Sequence, residues 1–82
     1  MSSNELELRR TLAENLREYR KEMGLSQEDL AENCNLHRTY IGSVERCERN
    51  VTLGTLCALS KALNIEVPNL LLSRKDSKIV KK

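Results

Sequence analysis

Residues 26–46 read SQEDLAENCNLHRTYIGSVER, and their spacing predicts two short helices joined by a tight turn. Ser26 followed by Asp29 is a capping-box pair: the hydroxyl accepts a free backbone N–H, and the acid sits at the positive end of the helix. Leu30, Ala31 and Cys34 recur on one inward face. Asn35-Leu36 makes the turn, because Asn tolerates a left-handed backbone. The next helix runs from about His37 to Arg46. It points Ile41 and Val44 to the core and leaves Arg38, Thr39, Gly42 and Ser43 on the opposite face.

The flanking sequence predicts only more helix. Leu8, Leu12, Leu16, Tyr19 and Met23 recur at three- and four-residue steps, which predicts a first helix over about 5–23 with one apolar face. Gly24 closes it, since Gly adopts the left-handed conformation without a Cβ clash. After a polar loop at residues 47–50, Thr52 caps a fourth helix carrying Leu53, Leu56, Leu59 and Leu63, and Asn64 ends it. Pro68 opens a short fifth helix with Leu70, Leu71 and Leu72. No sustained period-two alternation and no Asn-Gly hairpin turn suggests a strand. The expectation is an all-α, compact five-helix domain over residues 1–73 with a basic tail over 74–82.

Size and charge narrow the function. Eighty-two residues make one small domain, and a chain this short buries only about 60% of its unfolded surface, so a second copy would add useful apolar burial. The core must be aliphatic, with no Trp or Phe and 2 Tyr. Net charge is +2, but residues 1–73 hold 9 Lys and Arg against 11 Asp and Glu, while 74–82 hold 5 basic residues against Asp76. The body is therefore not broadly basic, and any affinity for phosphate has to come from locally placed Arg side chains and backbone N–H groups. No stretch approaches the roughly 20 apolar residues of a membrane span, and the N-terminus lacks a signal peptide's apolar centre. Three cysteines exclude a full disulfide framework. The expected location is the cytoplasm, with reduced thiols.

The outer face of the 37–46 helix carries the function. A helix that follows a short helix and turn, with a polar and exposed first turn, has the layout that enters the DNA major groove. Arg38 can pair bidentately with guanine O6 and N7, and Thr39 can offer a hydroxyl or a methyl to a base. Gly42 removes bulk, which would let the helix lie deep in the groove.

Three motifs bring a family resemblance: LSQEDLA at 25–31, HRTYIGSVER at 37–46 and RNVTLGTL at 49–56. Over about residues 9–72 the chain resembles the Xre/Cro-type helix-turn-helix family. Within that family it is most similar to the controller proteins of restriction–modification systems. The resemblance implies a lambda-repressor-like DNA-binding fold and assigns roles to matching positions. Gln27 would hydrogen-bond a phosphate or base edge. Arg38, Thr39 and Ser43 would read bases, and Tyr40 would either touch the backbone or an adjacent base or pack against the first helix. Arg46 would meet a phosphate or be a surface charge, and Arg49 would reach bases from its loop. Asn50 and Thr52 would meet a phosphate at the positive end of the fourth helix. Glu45 and Arg20 match a structural ion pair that clamps the first helix to the third. The dimer would form through the last two helices, making Leu53, Cys57, Asn69 and Leu72 its expected interface. At Cys47 the family usually has Gly, with a positive φ; a Cys held there would cost about 1 kcal/mol, so a reshaped loop is expected.

Other chemistry is weaker. Cys34, His37, Cys47 and Cys57 match no standard zinc spacing, so neither a metal nor another cofactor is expected. No nucleophile–base pair, paired acidic site or Gly-rich phosphate loop suggests an enzyme. The expected function is a homodimeric transcription regulator on a near-palindromic DNA operator, with RNA polymerase as a further partner. A phage-type repressor or an antitoxin remains an alternative. A helical protein–protein interaction module that does not touch DNA is another, of a different class.

Overall fold

The computed structural model describes residues 3–74. Five helices follow one another: α1 (Ser3–Glu22), α2 (Gln27–Cys34), α3 (Arg38–Glu45), α4 (Leu53–Leu63) and α5 (Val67–Leu71). Helix α1 packs on α3 and α5, α2 packs on α3 and α4, and α4 packs on α5. They enclose one aliphatic core of Leu12, Leu16, Leu30, Ala31, Ile41, Val44, Leu56, Leu59, Leu63 and Leu70. Each Leu or Ile withdrawn from water there contributes about 1.5–3 kcal/mol, which is how a chain with so few aromatics holds together.

The apolar stripe of α1 is shorter than its sequence periodicity suggests. Leu12 and Leu16 are buried, whereas Leu8 and Met23 remain 50% and 48% exposed. The helix is 20 residues long, about 30 Å, and its partners α3 and α5 span only 8 and 5 residues. Its ends therefore overhang the core.

Asn15, on the buried face of α1, does what a leucine there could not. Its side-chain amide donates toward the carbonyls of Asn69, Leu70 and Leu72 at 3.2, 3.0 and 2.9 Å. These belong to the C-terminal end of α5 and the residue after it, where helix carbonyls have no partner of their own.

Arg74 does not behave as the first residue of a loose tail. Its Nη1 lies 2.7 Å from Glu22 and 3.2 Å from Glu18, and its guanidinium stands over the Tyr19 ring, 4.5 Å from the centroid. The folded body thus extends through Arg74. The rest of the expected basic tail, 75–82, lies outside the described residues.

Helices α1 to α4 all stop in the same way. A left-handed residue follows each: Gly24, Asn35, Cys47 and Asn64, with φ of 71°, 58°, 67° and 58°. In each case the next N–H reaches back five residues, as from Leu25 to the Arg20 carbonyl and from Glu48 to the Ser43 carbonyl, at 3.0 and 2.9 Å. This is the Schellman arrangement. The loop after α3 is therefore not reshaped by Cys47; the backbone keeps its turn and the side chain bears the strain. Gly and Asn fill the other three positions because they reach this region at little cost. Replacing Cys47 with Gly is expected to stabilise the domain by about 1 kcal/mol, read as a rise in Tm of about 4–8 °C in thermal unfolding under reducing conditions. An unchanged or lower Tm would contradict this account of the turn.

Candidate nucleic-acid interface

A buried carboxylate fixes the placement of α3. Arg20 of α1 donates from Nε to Glu45 Oε2 at 2.6 Å and from Nη2 to Oε1 at 3.0 Å, and both residues are buried. The third nitrogen, Nη1, donates to the Leu25 carbonyl at 2.8 Å. Gln27, the first residue of α2, donates its Nε2 to Glu45 Oε1 at 3.0 Å. Arg17 donates to the Glu45 carbonyl at 3.3 Å, satisfying a free acceptor at the C-terminus of α3. One side chain thereby joins α1, α2 and α3. Burial alone would push the Glu45 carboxyl pKa up; the hydrogen bonds from Arg20 and Gln27, with the charges of Arg20 and Arg17, outweigh it and hold the pKa below its ordinary value.

Held from behind, α3 presents its first turn to solvent. His37 caps it, its Nδ1 accepting the Thr39 N–H at 3.3 Å. Arg38 and Thr39 are exposed. The Arg38 guanidinium comes no nearer than 3.8 Å to Glu28, and the two side chains are 67% and 72% exposed. So open a pair is weak in water, which leaves the guanidinium available to a better partner. Tyr40 packs half-buried against the core, and the Arg49 guanidinium stands 5.9 Å from its ring centroid.

Two residues expected on the outer face are not there. Ser43 is 5% exposed, and its hydroxyl donates to the Tyr40 carbonyl three residues back at 2.8 Å. An eight-residue helix wedged between α1 and α2 has only a narrow solvent face, and Ser43 lies outside it. Gly42 is also buried. Its missing side chain opens no path for DNA, because the side chains of Gln27 and Arg46 fill that space.

Beyond α3, the side chains are prepositioned. Arg46 donates from Nε and Nη2 to the two carboxylate oxygens of Glu48, at 3.1 and 3.3 Å. Asn50 accepts from Arg9 Nε at 2.8 Å, which ties the loop to α1 and brings a second arginine beside Arg49. Thr52 caps α4, its hydroxyl oxygen accepting the Thr55 N–H at 3.0 Å. Nothing in the spacing of the 47–52 loop pointed to Arg9. The Gln27 bond to Glu45 was equally hidden, though a Gln opening a helix beside a buried acid is a pattern to look for.

A helix-turn-helix family model (HTH_3) matches residues 16–70. The chain belongs to the helix-turn-helix family. It is 64% identical over 66 residues to control protein C.SmaI of Serratia marcescens, an overlap of 80% of this chain and 79% of that one. The crystal structure of a hypothetical transcription factor from Neisseria superposes with a TM-score of 0.86 at 38% identity, covering 89% of this chain and 84% of the other. The restriction–modification controller protein C.AhdI of Aeromonas hydrophila superposes with a TM-score of 0.73 at 45% identity, covering 76% and 94%. This helix-turn-helix protein is thus a DNA-binding transcription regulator grouped with the controller proteins, and not an enzyme.

Leu53, Cys57, Asn69 and Leu72 are all exposed on or just after α4 and α5, with Leu53 78% exposed. Among the described residues, no helix is long and apolar enough to cross a membrane, and no three His, Cys, Asp or Glu side chains gather to hold a metal.

The carboxylates give stability an acid limb. Glu45 is held below its ordinary pKa, as is Asp29, whose carboxylate accepts the Ser26 backbone N–H and bonds the Ser26 side chain. A depressed folded pKa contributes stability that is full above the unfolded value of about 4.3 for Glu. That contribution is lost as pH falls through the lower folded value. Urea unfolding between pH 7 and pH 3 should show stability falling below about pH 5. Glu45→Gln should be less stable at pH 7 and should flatten the fall; an equally steep fall in that variant would remove Glu45 as its main source.

Proposed function

We propose that this chain acts in the cytoplasm as a homodimeric controller of a restriction–modification system. It would bind a near-palindromic operator upstream of its own gene and of the endonuclease gene. The observation that carries the proposal is the exposed first turn of α3, where Arg38 and Thr39 project from a helix that three other groups of the chain hold in place. A helix so presented fits the major groove, which is about 12 Å wide. Arg38 and Thr39 are the base readers in this proposal, and Arg49, held beside Tyr40, reaches neighbouring bases. Arg46, Asn50, Gln27 and the capped N-terminus of α4 meet phosphates.

Two copies are needed to read a palindrome. The exposed Leu53 and Leu72, with Cys57 and Asn69, make the dimer face in this proposal. They would set two α3 helices about 34 Å apart, one turn of DNA. Low occupancy would then favour contact with RNA polymerase and activation, and higher occupancy would favour repression.

Selection of bound duplexes from a random pool tests the reading. It should return a near-palindrome whose affinity falls steeply with salt. Arg38→Ala should keep the parent's helix content and lose preference at one base pair of each half-site by about 1–3 kcal/mol; an intact preference removes Arg38 from the readers. In sedimentation the parent should run as a dimer and Leu53→Asp should shift toward monomer, whereas a variant that dimerises like the parent would move the interface elsewhere.

A further inference from the structure

Gly42 lies in the middle of α3, where glycine costs roughly 1 kcal/mol of helix stability relative to alanine. Its dihedrals are ordinary helical ones, so backbone freedom does not explain it. A Cβ built at Gly42 would stand 3.2 Å from Gln27 Oε1 and 3.2 Å from Arg46 Nη1, closer than side-chain carbons normally approach. Both side chains therefore rest in a notch that exists only because residue 42 has no side chain.

Each occupant is held from its other side. Glu45 accepts from Gln27 Nε2, and because a carboxylate only accepts, that bond decides which way round the amide lies. Oε1 must turn over Gly42, and one N–H of Nε2 remains to be donated elsewhere. Glu48 takes Nε and Nη2 of Arg46, which leaves Nη1 over the notch. Gln27 thus turns its amide oxygen, and Arg46 a guanidinium edge, toward the same notch; the guanidinium edge and the remaining N–H of Gln27 Nε2 are the donors suited to a phosphate oxygen.

We propose that Gly42 is a positioning residue for DNA recognition: its notch seats the Gln27 amide and the Arg46 guanidinium, and so fixes how each presents its free N–H to the DNA backbone. This rests on the reading of Gln27 and Arg46 as phosphate contacts. It replaces the simpler idea that Gly42 gives the helix room in the groove, since the space above it is already taken. A methyl group at 42 would push both side chains aside by a few tenths of an ångström or more, while alanine's better helix propensity offsets the strain in the fold.

The test is Gly42→Ala, measured on the duplex that the parent protein selects from a random pool, in the parent background and in Gln27→Ala/Arg46→Ala. Circular dichroism should report unchanged helix content and no loss of Tm. Affinity should fall about tenfold in the parent background and stay within about twofold in the double-variant background. The salt dependence of Gly42→Ala should be shallower, since a phosphate contact is lost. Parental affinity for Gly42→Ala, with Gln27→Ala and Arg46→Ala each weakened, would overturn the proposal and leave the phosphate contacts standing. Parental affinity for both of those single variants would overturn the contacts and the proposal together. An equal loss in both backgrounds would show that the methyl group meets the DNA directly, which also overturns it. Should Gly42→Ala unfold, the cycle of Gln27→Ala, Arg46→Ala and their double variant decides instead: coupled losses of affinity support a shared seat, and strictly additive losses overturn it.

Discussion

The recognition surface depends on where one carboxylate sits. Glu45 is on the inner face of α3 and bonds to Arg20 through both oxygens while also accepting from Gln27. A buried ion pair of this kind is not, by itself, an economical source of stability, because desolvating two charges offsets most of their attraction. A well-packed apolar pair could match it in energy. It could not do the second thing that Glu45 does, which is to hold α2's first side chain in a set orientation against α3. The pair also resists sliding: an α3 shifted by one residue would turn Glu45 away from Arg20 and leave a guanidinium stranded. The clamp thus sets both the register of α3 and the direction of its first turn.

The same economy governs the rest of the chain. A domain this small has little core to spare, so its helix ends are closed locally. Four left-handed turns stop four helices, a capping box starts α2, and Asn15 reaches across from α1 to the end of α5. Only one turn is filled by a residue ill-suited to it, and it is the turn that leads from α3 into the loop bearing Arg49 and Asn50. The shape of that loop, and not the residue at 47, is what the fold preserves.

Much of this was legible in the sequence. The Ser26–Asp29 cap, the turn at Asn35, the caps at Thr52 and Asn64 and the apolar spacing of Leu30, Ile41, Val44, Leu56, Leu59 and Leu63 all act over a few residues, and local chemistry fixes them. What was hidden depends on which elements meet. Ser43 follows Gly42 on a helix that looks polar on one side, and only the seating of α1 and α2 decides how narrow the exposed strip is. Leu8 and Met23 fit the periodicity of α1, but no local signal says where its partners end. Arg74 reads as tail until Tyr19, Glu18 and Glu22 are seen beside it. Asn15 left a trace that could have been followed: a polar residue between Leu12 and Leu16 on an apolar face calls for a buried partner. Gly42 left a misleading one, because a small residue on a recognition helix suggests room for DNA when the room is used by the protein's own side chains.

The central claim is that the first turn of α3 lies in the major groove. Methylation interference on the selected duplex tests it most directly, because a methyl group on guanine N7 obstructs the major groove and one on adenine N3 obstructs the minor groove. The account predicts that N7 methylation of a guanine in each half-site blocks binding, with the two sensitive positions about one helical turn apart. Interference confined to adenine N3, or none at any guanine, would contradict it.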